Sequence, residues 1–132
     1  MQPGTSINSS HGGVREERCI VLCMRHPEGV TPEQGYALRD LLNRVETSGW
    51  WFLNPGTFVV AFSCLRSGAA RAVACQDALR ELVAADRSFA SIGVGVAEGG
   101  VIGSFSSAGI LESLPIGDVV REAMKNAIGN AS

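Results

Sequence analysis

Two basic side chains and one acidic side chain near the C-terminal end have types and a spacing that could serve chemistry. Arg121 and Lys125 lie one helical turn apart, and Asp118 precedes Arg121 by three residues. On a helix the two basic side chains are neighbours one turn apart and could meet an anion. The simpler interpretations are a solvated helix face for the basic pair and a helix cap for Asp118.

His26 is a second candidate, as a metal ligand or a general base at the end of an apolar run. It lies between Arg25 and Pro27, and no second histidine or aspartate is close in the sequence. The pattern therefore favours a solvated loop histidine.

A glycine-rich stretch could cradle phosphate groups through its backbone amides. Residues 98–113 hold four glycines and four serines, without the Gly-Lys-Ser/Thr pattern of a phosphate-binding loop. We interpret the stretch as a flexible connection that contains at most a short strand at Val101 and Ile102.

The four cysteines predict neither a metal site nor a disulfide framework. Cys19, Cys23, Cys64 and Cys75 form no Cys-x-x-Cys pair, and each lies in an apolar stretch. Free buried thiols in a reducing compartment are the favoured interpretation, which points to the cytoplasm. We expect neither a metal nor another cofactor.

Length and composition limit the class of protein. The 132 residues suffice for one domain, which we place at residues 17–132 behind a disordered tail of residues 1–16. A net charge of −2 with interspersed acids and bases argues against a nucleic-acid partner. No apolar run approaches the roughly 20 residues of a membrane span, and the tail lacks the apolar centre of a secretory signal.

Local patterns predict the elements that must position these residues. Residues 19–24 are a continuous apolar run, typical of a central strand buried on both faces. Thr31, Pro32 and Gln34 predict the start of a helix with a capping box, and Gly49 predicts its end. The apolar positions of this helix repeat at helical spacing and comprise Leu38, Leu41, Leu42 and Val45.

The rest of the chain completes an α+β pattern. Residues 50–53 and 58–62 read as a hairpin around a Pro-Gly turn, residues 67–85 as a helix and residues 89–97 as a strand. A last helix is predicted over residues 117–128, with Ile128 on its apolar side. The order β-α-β-β-α-β predicts a ferredoxin-like antiparallel sheet with helices on one face, plus the C-terminal helix.

Two adjacent tryptophans are candidates for an interface. Trp50 and Trp51 point to opposite faces of a strand, so one enters the core and the other can be exposed. Exposed tryptophans are enriched at protein interfaces.

Three motifs in this order resemble the class III nucleotidyl cyclase catalytic domain. SIGVGV at 91–96, GGVIG at 99–103 and PIGDVV at 115–120 resemble the "RIGI", "GEVV-G" and "VIGDAVN-AARL" motifs of that family. The hairpin at 52–62 resembles "KFIGDGVMAVF". The resemblance covers residues 19–127 and implies the palm fold that this family shares with the diguanylate cyclase (GGDEF) domains. Residues 56–59 resemble an altered GGDEF motif and residues 123–130 the last helix of that family, so a GGDEF domain is the alternative to the class III resemblance.

The resemblance also implies two carboxylates that bind two divalent cations. The first position falls at His26, or at Met24 or Arg25 if the alignment gap is placed differently, and the second falls at Gly56. Glu28 is the nearest acid to the first position. Arg121 and Lys125 stand where the family carries an Asn and an Arg. The chain therefore resembles a degenerate cyclase domain with no catalytic residues, and the GGDEF alternative lacks its signature acid as well.

These observations favour a non-catalytic regulatory or protein-interaction module, and the resemblance implies a homodimer. Asp118, Arg121 and Lys125 are its candidate nucleotide-binding residues, and Trp50 and Trp51 its candidate interface residues. One alternative is a nucleotide-binding or residual cyclase enzyme that uses Glu28, Asp118 and Lys125. Another is an unrelated ferredoxin-like domain that binds a small effector or a metal.

Overall fold

The computed structural model describes residues 14–44, 50–54, 56–105, 111, 113 and 115–130, without the side chains of 50–54, 66, 129 and 130. Over these residues the elements are β1 (Val14–Arg25), α1 (Pro32–Arg44), β2 (Trp50–Asn54), β3 (Thr57–Ser63), α2 (Gly68–Ala85), β4 (Gly93–Ser104) and α3 (Asp118–Asn130). Two short 3₁₀ turns, Cys64–Arg66 and Arg87–Phe89, flank α2. The predictions for Val45, Gly49 and most of the tail lie outside the described residues.

β1 is the central strand around which the sheet is built. The strand order is β2-β3-β1-β4, and every neighbouring pair is antiparallel. The predicted ferredoxin-like palm fold is confirmed. Successive side chains of a strand point to opposite faces, so the continuous apolar run of β1 supplies both faces of the sheet.

The helices divide between the two faces. α1 and α2 cover the first face and α3 covers the second, so β1 is buried on both sides as predicted. The first core contains Ile20, Leu22, Met24, Leu38, Leu41, Leu42, Phe58, Val60, Phe62, Ala72, Cys75, Leu79, Phe89 and Ile92. The second core contains Cys19, Val21, Cys23, Val59, Ala61, Val101, Phe105, Leu111, Val119, Val120, Ala123 and Ala127.

α3 approaches the sheet closely at Gly95. A Cβ built there would collide with the carbonyl oxygen of Ala123 and the amide nitrogen of Ala127. The side-chain amide of Asn126 donates to the carbonyl of Val96 at 2.9 Å, one residue further along β4. Glycine at position 95 therefore allows helix and strand backbones to touch.

The start of α1 follows the sequence closely. The amide of Gln34 donates to Oγ1 of Thr31 at 3.1 Å, and the amide of Thr31 donates to Oε1 of Gln34 at 2.8 Å. Pro32 is the first helical residue. This reciprocal pair is the predicted capping box.

β4 differs from its prediction at both ends. Phe89 lies in a 3₁₀ turn, the strand begins at Gly93, and the stretch predicted as a loop continues it to Ser104. The cause is long-range, because β1 pairs with β4 from Val14 opposite Ser104 to Arg25 opposite Gly93. The same ladder places residues 14–16, predicted to belong to the tail, in β1.

Two further features complete the comparison. The last helix is confirmed, but Ile128 is exposed rather than on the buried side. None of the helices in the described part of the chain is both long enough and apolar enough to cross a lipid bilayer.

Candidate functional site

A polar cavity lies where β1 ends and the β2–β3 turn approaches it. Its volume is about 270 Å³, and it is lined by Arg25, His26, Pro27, Glu28, Gly29, Gly56 and Thr57. These residues include both positions at which the resemblance implies metal-binding carboxylates. The cavity, hereafter the His26 cavity, is therefore the candidate site.

His26 is buried in the wall of this cavity, with 7% of its surface exposed. Its Nε2 lies 2.9 Å from the carbonyl oxygen of Ser88, which only accepts, so Nε2 carries the proton and donates. The ring also meets Phe89 edge-on, with 6.5 Å between ring centroids. The prediction of a solvated loop histidine is wrong, because the 3₁₀ turn Arg87–Phe89 folds over the end of β1.

The other ring nitrogen of His26 has no such partner. Nδ1 is fully buried and forms no hydrogen bond within the described part of the chain. Buried polar atoms in native proteins are almost always paired, so Nδ1 of His26 is an exception within the described part of the chain. The alternation of β1 gives a sequence signal for the burial, because His26 continues the series Leu22 and Met24 on the first face.

Gly56 closes the cavity from the hairpin side. The amide of His26 donates to the carbonyl of Gly56 at 2.7 Å. A Cβ built on Gly56 would collide with the carbonyl oxygen of His26 and lie 3.0 Å from Cα of Gly29. The two backbones touch here, so the position that the resemblance assigns to an acid has no room for a side chain.

The His26 cavity has one basic and one acidic side chain in its lining, Arg25 and Glu28. Arg25 is half-buried and has no ion pair or side-chain hydrogen bond with the residues that the structure describes. Glu28 is exposed at the same cavity. No three His, Cys, Asp or Glu side chains among the described residues are grouped so that they could hold a metal ion.

The nucleotide-binding candidates lie elsewhere in the chain. Asp118, Arg121 and Lys125 are exposed on α3, and a guanidinium nitrogen of Arg121 lies 3.6 Å from the Asp118 carboxylate. Lys125 lies 4.0 Å from the carboxylate of Glu122. A cavity of about 440 Å³ at the start of α3 includes Asp118 and has a mainly acidic polar lining, with Glu16, Glu98 and Glu122.

The structure does not bring Asp118 to the His26 cavity. Gly117, which precedes Asp118, packs against the carbonyl oxygen of Gly100. The other end of β4, at Gly93, is paired with Arg25 beside the His26 cavity. Seven residues of strand separate Gly93 from Gly100, which corresponds to about 23 Å.

The interface candidates lie on an edge strand. Trp50 and Trp51 are in β2, which has β3 as its single neighbour in the described sheet. Their side chains lie outside what the structure describes, so the prediction that one of them is exposed stays a prediction.

The thiols are free, as predicted, but their burial differs from the prediction at one position. Cys19, Cys23 and Cys75 are buried, whereas Cys64 is exposed. Burial raises the pKa of Cys19 to about 12 and those of Cys23 and Cys75 to about 11. Cys64 differs because it lies in the 3₁₀ turn after β3, beyond the end of the buried strand.

Solved structures of nucleotidyl cyclases share this fold. The guanylyl cyclase Cya2 is 19% identical with a TM-score of 0.61, covering 92% of this chain and 74% of that one. The catalytic core of a rhodopsin-guanylyl cyclase with converted specificity, solved with ATPαS, is 13% identical with a TM-score of 0.67, covering 90% and 76%.

A third solved structure is the dimeric guanylyl cyclase domain of the RhoGC fusion protein from the aquatic fungus Blastocladiella emersonii. It is 11% identical with a TM-score of 0.61, covering 90% of this chain and 77% of that one. No family model and no curated protein matches the sequence. These likenesses confirm the cyclase fold that the motifs implied.

Proposed function

We propose that this chain is a non-catalytic domain of the cyclase fold that acts by binding, as a regulatory or protein-interaction module. The observation that carries the proposal is the chemistry of the His26 cavity. His26 has one ring nitrogen committed to a carbonyl, and Gly56 has its Cα against the His26 backbone. Neither position offers the side-chain oxygen that Mg²⁺ prefers as a ligand.

We further propose that the module is a homodimer. The resemblance implies a head-to-tail dimer with its sites at the interface. The distance between Asp118 and the His26 cavity within one chain supports this, because a second copy could bring the two together. The position of Trp50 and Trp51 on an edge strand supports an interface there.

Asp118, Arg121 and Lys125 are proposed to contact a nucleotide in such a dimer. Exposed ion pairs along a helix contribute little to stability, so the pairs that Arg121 and Lys125 form with acids of α3 can be exchanged for a phosphate at low cost. Lys125 would act as a point charge without the two-pronged geometry of an arginine.

The cytoplasm is the proposed location. Cys64 is exposed and free, and the three buried cysteines are free as well. Unpaired thiols persist in a reducing compartment, whereas an oxidising one favours their conversion to disulfides.

Light scattering after size-exclusion chromatography tests the dimer. We expect a dimer for the wild-type chain and a larger monomer fraction for Trp50→Ser or Trp51→Ser, with Tyr36→Ser, an exposed aromatic on α1, as the control. A monomer at every concentration would contradict the homodimer.

Thermal-shift assays with ATP and GTP, with and without Mg²⁺, test nucleotide binding. A ligand at 100 times its Kd adds about 2.7 kcal/mol of stability. We expect Arg121→Gln and Lys125→Gln to reduce the shift. Metal-dependent cyclic nucleotide formation that Glu28→Ala or Asp118→Ala abolishes would favour the residual enzyme instead.

A further inference from the structure

We propose that the part of the first face of the sheet that α1 and α2 leave uncovered docks an amphipathic helix of a partner protein, with lysine or arginine beside the apolar side chains of that helix. The inference rests on the protein-interaction function proposed above and names the kind of partner. The surface, hereafter the Ile102 surface, comprises Val14, Glu16, Arg18, Glu98, Ile102 and Ile116.

The cover on the first face of β1 ends at Ile20. β3 ends at Ser63, and α2 begins at Gly68, where a Cβ would collide with the carbonyl oxygen of Ser63. β1 extends beyond this point, still paired with β4, as far as Val14. Side chains alternate along a strand, so the first face passes from the buried Ile20 to the exposed Arg18 in one step.

The uncovered ribbon of β1 and β4 is a well-packed part of the sheet on its other side. On the second face Glu17 is buried and accepts hydrogen bonds from Oγ of Ser63 and from Nε of Arg15, both at 2.6 Å. The guanidinium of Arg15 also lies over the ring of Phe105, 5.2 Å from its centroid. One face of these strands is thus packed and the other is bare, as expected of a sheet that is completed by a further layer.

Three large aliphatic side chains are adjacent on the Ile102 surface. Val14, Ile102 and Ile116 have 76%, 45% and 60% of their surfaces exposed. Ile102 and Ile116 exchange backbone hydrogen bonds of 2.8 and 3.0 Å, and directly paired residues share a face. Val14 is a diagonal neighbour of Ile102, because Glu16 on the same strand pairs directly with Ile102. A contiguous exposed apolar patch of this kind marks an interaction site.

A carboxylate without a partner sets the charge of the occupant. Glu16 is exposed and forms no ion pair or hydrogen bond with the residues that the structure describes. Its Oε2 lies against Gly100 and lines the mainly acidic cavity of about 440 Å³ at the start of α3. The neighbouring acid Glu98 is neutralised by Arg18, whose Nε lies 2.6 Å from its carboxylate. A lysine or arginine of the occupant supplies the missing partner of Glu16 and selects the occupant by charge.

The dimensions of the Ile102 surface fit one helix. β1, β4 and Ile116 lie side by side at a spacing of about 4.8 Å, so the surface is about 10 Å wide, which matches the diameter of a helix. From Val14 to Arg18 the surface is about 13 Å long, which about nine helical residues cover. α1 and α2 cover the neighbouring part of the same face.

Fluorescence anisotropy with labelled synthetic peptides tests the inference on the full chain. Two peptides of identical leucine and lysine composition are compared, one with leucine at helical spacing and one with leucine at alternate positions, which favours a strand. We expect a Kd of roughly 10 to 100 µM for the helical peptide, because the surface is smaller than a standard interface. The alternating peptide, and a helical peptide with glutamate in place of lysine, should each bind at least about tenfold more weakly.

Matched variants locate the binding surface. Ile102→Ser and Glu16→Gln should each weaken binding of the helical leucine-lysine peptide about fivefold or more, because they remove an apolar contact and a charge. Tyr36→Ser and Glu81→Gln change an exposed aromatic on α1 and an exposed acid on α2, and they should have no effect. Melting temperatures show whether the variants fold, and Glu16→Gln keeps the test decisive if Ile102→Ser does not. Amide NMR shifts should concentrate at Glu16, Gly100 and Ile102.

The inference would be overturned by no binding of the helical peptide, by equal binding of the two leucine-lysine peptides, or by equal losses in Ile102→Ser and Tyr36→Ser. A lower oligomeric state of the free chain in Ile102→Ser would also overturn it and would assign the surface to a second copy. These measurements involve neither a nucleotide nor Trp50 and Trp51, so failure here is distinguishable from failure of the proposed function.

Discussion

Restoring an acid in the β2–β3 turn is predicted to destabilise the protein without creating a cyclase. In Gly56→Asp the new Cβ would collide with the carbonyl oxygen of His26 and lie 3.2 Å from the amide nitrogen of Gly29. Both contacts are with backbone, which cannot rotate away as a side chain could. The strand end and the turn must therefore separate, and the hydrogen bond from the His26 amide to the Gly56 carbonyl is strained.

The magnitude follows from these contacts. Forcing extra atoms into a well-packed position typically costs about 1–3 kcal/mol. A domain of this size loses about 4 °C of melting temperature per kcal/mol, so we expect a decrease of about 8 °C for a cost near 2 kcal/mol. Scanning calorimetry measures the decrease, and Gly56→Ala should show most of it, because the Cβ rather than the carboxylate is responsible.

Gly35→Ala is the matched control. A Cβ there has no atom within 4 Å, and Gly35 lies inside α1, so alanine should stabilise the helix by about 1 kcal/mol. The two glycine replacements thus have opposite signs. The packing argument would be refuted if Gly56→Asp were as stable as the wild-type chain, or if this single substitution were enough to give cyclic nucleotide formation.

Three further predictions concern other parts of the chain. Urea denaturation should show that Gly95→Ala lowers the free energy of unfolding by about 3 kcal/mol, because the new Cβ meets the backbone of α3. Gly100→Ala should lower it little, because its Cβ meets only the end of the exposed Glu16 side chain. An equal loss of stability in Gly95→Ala and Gly100→Ala would contradict the close approach of α3 to β4. Thr31→Ala should lower the free energy of unfolding by about 1 kcal/mol, because it removes the capping box. Thr31→Ser keeps the hydroxyl and should retain most of the wild-type stability. Under native conditions at pH 8 a thiol reagent should label Cys64 quickly and the other three cysteines slowly, because burial holds the pKa of Cys19 near 12 and those of Cys23 and Cys75 near 11 and keeps the thiolate scarce. Equally fast labelling of all four thiols would show that the reagent enters the two cores freely. Labelling of fewer than four thiols after unfolding without reductant would indicate a disulfide.

The parts of the fold that the sequence predicted well depend on local signals. The start of α1 is specified within four residues by Thr31, Pro32 and Gln34, each of which acts on its immediate neighbours. The central strand was predicted because burial on both faces requires an uninterrupted apolar run. These features need no knowledge of the rest of the chain.

The parts that the sequence did not predict depend on distant residues. The glycine-rich half of β4 is a strand because it pairs with β1, about eighty residues earlier, and glycine itself disfavours strands. His26 is buried because Ser88 and Phe89, more than sixty residues later, fold over it. Similarly, the missing acid at Gly56 reads as a simple loss in the sequence, whereas the structure shows a backbone contact that excludes any side chain.

Incubation of the purified chain with ATP or GTP and Mg²⁺ or Mn²⁺ tests the central claim, that this cyclase fold does not catalyse, most directly. Removal of one preorganised charged or polar group from an active site typically costs about 10² to 10³ in rate, and neither position at which the resemblance implies a carboxylate carries one. We expect no cyclic nucleotide above a no-protein control at any protein concentration. Product that rises with protein and metal concentration, and disappears in Glu28→Ala or Asp118→Ala, would contradict the account.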